Sequence, residues 1–136
     1  MESLRKEIAE LHLSNLDNSI DQLETHLANL THRRAKAQND KKTYQVTLDF
    51  HKANLSTAIE RAYEGEISTL DPQPDDTPVI TRTKKGIASL LNSVYVWERE
   101  LRETLQNVMA TEEEMDTVSD QLETLQKLRE DIAKSL

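Results

Sequence analysis

The chain contains no cysteine, and glycine and proline together supply only five of its 136 residues. Without cysteine there is no disulfide framework, no thiolate nucleophile and no cysteine-based metal site. Aromatic residues are scarce as well, with one Phe, one Trp and three Tyr. That scarcity argues against a sheet protein, and the rarity of turn formers argues against a many-looped globule. No apolar run approaches the roughly 18 residues needed to span a membrane. The first residues, Met1-Glu2-Ser3-Leu4-Arg5-Lys6-Glu7, lack the apolar stretch of a signal peptide. The expectation is an intracellular protein, cytoplasmic or nuclear.

Catalytic signatures are missing too. No two of the histidines, His12, His26, His32 and His51, are spaced i, i+3 or i, i+4 to share a helical face, and no His-Glu-x-x-His pattern occurs. There is no GxSxG motif and no phosphate-binding glycine loop. The consecutive carboxylates Glu112, Glu113 and Glu114 splay around a helix, whereas hard cations want oxygens converging from a loop. We therefore expect no catalytic residue, no cofactor, no metal and no small-molecule substrate: not an enzyme.

What remains is leucine and charge. The chain has 18 leucines, with 25 acidic against 17 basic side chains and a net charge of −8. A Leu/Glu/Ala/Lys/Gln-rich, glycine-poor composition is that of long helices. Net acidity makes nucleic acid an unfavoured partner, because phosphate contacts need a basic face.

All three prolines fall within Asp71-Pro72-Gln73-Pro74-Asp75-Asp76-Thr77-Pro78. Proline removes a backbone donor and forces its predecessor out of helical geometry, so no helix crosses this segment. Thr77 is a candidate N-cap, with Pro78 at the first helical position. The division is a first long helix over 1–70, weakening at Gly65, Ser68 and Thr69, an elbow over 71–77, and a second long helix over 78–136.

The first helix carries a heptad seam: Leu13, Leu16, Ile20, Leu23, Leu27, Leu30, Arg34, Ala37, Lys41, Tyr44, Leu48, His51, Leu55, Ala58 and Ala62. Only a repeat averaging 3.5 residues keeps one stripe facing a supercoiling partner, so the seam predicts a coiled coil. The second helix has a wider apolar band. Ile87, Leu91, Val94, Leu101, Leu105, Val108, Met115 and Leu122 follow one frame, and Leu90, Trp97, Val118, Leu125, Leu128 and Ile132 broaden it. That width suits a helix with two neighbours, as in a three- or four-helix bundle oligomer.

An elbow near Pro74 sets an antiparallel register. It lays the basic run Arg33, Arg34 and Lys36 beside the acidic run Glu112, Glu113, Glu114 and Asp116, and Lys52 near Glu98. Exposed pairs of this kind fix register more than stability. The predicted intramolecular seam is Leu16, Ile20, Leu23, Leu27, Leu30, Leu48 and Leu55 with Leu101, Leu105, Val108 and Leu122.

The register leaves residues 1–11 without an opposite strand of helix. There the frame changes, because Leu4, Ile8 and Leu11 do not run into Leu13 by a three- or four-residue step. Segment 1–11 is thus a candidate docking segment, read through i, i+4 and i+7 anchors. Leu90, Tyr95 and Trp97 are the other candidate partner contacts.

The fold class expected is all-α, two long helices in an antiparallel coiled-coil hairpin within a bundle. The function expected is a non-enzymatic structural or adaptor subunit, with other helical subunits as homo- or hetero-oligomeric partners. The alternative is a charge-driven regulator, binding nucleic acid or an acidic membrane through the basic 33–42 stretch.

Overall fold

The computed structural model describes residues 2–136, and it is all-α. Helix α1 spans Glu2–Glu64 and helix α2 spans Pro78–Lys134. They lie in extensive antiparallel contact, in two compact units. One unit comprises Met1–Ala37 with Asn107–Leu136, the other Gln38–Gln106.

The first unit is held by aliphatic side chains. Ile20 and Leu30 of α1 are buried against Val118 and Leu122 of α2, with Leu23, Leu27, Met115 and Leu125 packed around them. Leu30 is fully enclosed, at 0% exposure. Spacings of three and four residues bring these positions to one face of each helix, and burying each large side chain contributes about 1.5–3 kcal/mol. An ion pair between Asp17 and Arg129 crosses the unit, and it raises the Arg129 pKa.

The second unit contains the elbow. Helix α1 stops at Glu64, short of the sequence boundary, where the Gly65 amide donates to the Arg61 carbonyl at 3.2 Å. The reason lies just beyond. Ile67 and Leu70 turn inward and join Ala62 and Ile87, with Leu55, Ala58, Ile59 and Ile80 around them. Glycine has poor helix propensity, and enclosing Ile67 outweighs another helical turn. Higher in this unit, Leu48 and Val94 are buried.

Helix α2 starts as its sequence requires. The Ile80 amide donates to Thr77 Oγ1 at 3.3 Å, with Pro78 at the first helical position. Within the elbow, Asp76 Oδ2 accepts from the Gln73 amide at 2.9 Å, and the Asp71 amide donates to Thr69 Oγ1 at 3.3 Å. Aspartate and threonine stand in for backbone acceptors here, as in other tight connections.

Candidate interaction surfaces

The seam is the starting point, because whatever it buries is spoken for. On α1, Leu13, Leu16, Ile20, Leu23, Leu27, Leu30, Arg34, Ala37, Tyr44, Leu48, His51, Leu55, Ala58 and Ala62 are buried or half-buried. Lys41 is exposed instead, and Asp40 is half-buried in its place. On α2, Leu101, Val108 and Leu122 are in the seam, but Leu105 is 38% exposed. The buried threonines Thr104 and Thr111 take the seam steps between them. Two frames differing by one residue were open from Leu101 onward. The helix packs the narrower threonine inward and leaves the leucine outside.

The charge runs do not pair as runs. Glu114 Oε1 lies 3.0 Å from His26 Nε2, about two turns earlier along α1 than Arg33. Arg33, Arg34 and Lys36 form no ion pair among the described residues, nor do Glu112, Glu113 and Asp116. Lys52 Nζ is 3.7 Å from Glu98 Oε1, in the second unit.

Of the candidate partner contacts, Leu4, Ile8, Leu11 and Tyr95 are exposed, while Leu90 and Trp97 are half-buried. Trp97 is engaged within its unit. Its ring is 5.6 Å from Tyr44 at 45°, and 6.3 Å from His51 in a near-parallel stack. The large side chain that looked available to a partner is covered by an aromatic layer from α1, and His51 Nδ1 is enclosed there without a hydrogen-bond partner. In exchange, Phe50 and Val46 are outward, at 62% and 70% exposure. Val46 and Phe50 form an i, i+4 pair of large apolar residues that lies off the dominant seam.

The most enclosed polar feature is in the elbow. Lys84 is 7% exposed, and its Nζ donates to Asp76 Oδ2 and to the Asp71 carbonyl, each at 2.8 Å. The Lys84 ammonium, with help from the Gln73 amide, holds the Asp76 carboxyl below the usual carboxylate range. Lys84 is the internal brace of the turn.

A cleft in the first unit is lined by Ile8, Ala9 and His12 of α1, by Ile132, Ser135 and Leu136, and by Glu2, Arg5 and Lys6 at its edge. Among the described residues, no group of three or more His, Asp or Glu is placed to hold a metal. No described helix is long and apolar enough to cross a membrane. Comparison with known proteins adds no relative: no family model, no curated protein and no solved structure matches this chain.

Proposed function

We propose that this protein is a non-enzymatic structural or adaptor subunit, which joins helical partners into an assembly by helix–helix packing. One observation carries the reading. Large apolar side chains stay exposed on helices whose seam is already filled: Val46 and Phe50 on α1, and Leu91 and Tyr95 on α2 in the second unit. Grouped exposed apolar residues mark interaction surfaces, whereas scattered ones need no explanation. The partners would add helices to complete a three- or four-helix bundle in an intracellular complex.

The test is solution molar mass across a concentration series, joined to mass-resolved pull-down from the native source. Phe50→Glu and Tyr95→Glu should each remove a partner or lower the mass while leaving helicity intact. A monomer that yields the same partners with and without these substitutions sinks the proposal.

A charge-driven second reading draws support from the cations Arg33, Arg34, Lys36, Lys41 and Lys42, none of which is ion-paired among the described residues. Nucleic acid or an acidic membrane bound through them would dissociate steeply with salt, whereas apolar helix packing would barely respond.

A further inference from the structure

We infer that one face of α2 pairs with the same face of a second copy of this chain, the two helices running antiparallel about a twofold axis at Glu100. The inference rests on the helix-packing function proposed above and names the partner at one of its surfaces. Leu91, Tyr95, Arg102 and Leu105 are exposed, and Glu98 is half-buried among them. In chain order these residues are separated by four, three, four and three positions, the spacing that keeps one stripe along a helix. The α2 sequence carries the spacing on to Met109, which is exposed as well. At about 100° per residue the stripe lies roughly a quarter turn from the filled seam of Val94, Leu101 and Thr104. Packing Thr104 inward leaves Leu105 on this second stripe.

The order of the stripe selects the occupant. It is symmetric about Glu100. An antiparallel copy therefore lays Tyr95 against Leu105, Leu91 against Met109 and Glu98 against Arg102, and the twofold axis repeats each contact. A surface that meets itself in this way is the isologous interface of a symmetric dimer. Arg102 gains a carboxylate, which it lacks among the described residues of one chain. Glu98, 3.7 Å from Lys52 in its own chain, then lies between two cations. A parallel copy would instead set Arg102 against Arg102 and Glu98 against Glu98. The antiparallel arrangement does bring Arg99 toward its counterpart, at an exposed edge where charge weighs little. A foreign helix would need this same order of apolar, acidic, basic and apolar residues, and the chain itself supplies it.

The full chain, sedimented over a concentration series, should pass from its own mass of 15.6 kDa to twice that value. Tyr95→Glu should weaken the association at least ~10-fold without loss of helicity, because it sets a carboxylate against an apolar partner. Arg102→Glu and Glu98→Arg should each weaken it too, since each leaves two like charges at the centre of the stripe. Mixed together, these two variants should associate with one another. Tyr95→Cys mixed with Leu105→Cys should form a disulfide-linked dimer far faster than either variant alone. A chain that stays at its own mass, a doubling indifferent to Tyr95→Glu and Arg102→Glu, or charge variants that do not associate on mixing overturns the inference. So does a faster crosslink in Tyr95→Cys alone, which makes the copies parallel. Single-chain mass with a native-source partner lost on Tyr95→Glu overturns it in favour of a helix from another chain. If the mass never doubles while Phe50→Glu still removes a partner, this inference falls alone. If neither Phe50→Glu nor Tyr95→Glu changes mass or partners, the adaptor function falls with it.

Discussion

In the first unit the helices meet through aliphatic side chains, with Leu30 wholly enclosed among Ile20, Val118 and Leu122. In the second unit the same two helices add Tyr44, His51, Trp97 and Thr104 to a smaller aliphatic core, and end on a buried lysine. Apolar burial of this kind is without direction, whereas the Lys84 ammonium reaches its two acceptors in the elbow only from one position. Non-directional burial and directed polar contact thus weigh differently in two stretches of one chain.

The strongest way to break that comparison is in the aliphatic unit. Leu30→Ala should cost about 2–5 kcal/mol, read from urea unfolding followed by circular dichroism. A cost under ~1 kcal/mol would mean that the leucine core is not the main source of stability. Next comes the aromatic layer. Tyr44→Ala should cost about 1–3 kcal/mol, because Tyr44 is half-buried and its ring contact adds to area burial. Trp97, the one tryptophan, reports this unit directly by fluorescence.

A more local effect is expected in the elbow. The Asp76 carboxyl is depressed when folded, so its contribution is fully present above about pH 4 and lost as pH falls through the folded value. Lys84→Met should remove the main cause of that depression. The acid limb of stability should flatten relative to the unaltered protein, measured as urea midpoints between neutral and acid pH. An unchanged limb would show that Lys84 does not brace the turn. The smallest effect belongs to surface charge. Glu114→Ala removes the contact with His26 and should cost under ~1 kcal/mol, within the scatter of most exposed substitutions.

Much of this architecture is legible before folding. The three clustered prolines force the break, Thr77 and Pro78 announce the restart, and the leucine spacing from Leu13 to Leu30 names the seam face. The details lost are those decided by tertiary competition. Whether Thr104 or Leu105 turns inward depends on the space opposite, and both satisfy the heptad. The burial of Lys84 depends on two acceptors that the elbow supplies only once it has closed. The end of α1 at Glu64 depends on Ile67 finding a core outside the helix. Trp97 was readable as apolar but not as covered, because its cover comes from Tyr44 and His51 on the other helix.

The elbow brace also governs the order in which the molecule can assemble. Residues 71, 76 and 84 are near neighbours along the chain, so the loop they close is short and entropically cheap. The segments forming the first unit are separated by the whole of Gln38–Gln106. Loop-closure entropy rises with that separation, and contacts between distant residues form late unless nearer ones have already drawn the ends together. Folding is therefore set to start at Lys84 and zip away from the turn, with the aliphatic seam closing last. A lesion at the elbow should slow folding of the entire chain, whereas a lesion at Leu30 should mainly speed unfolding.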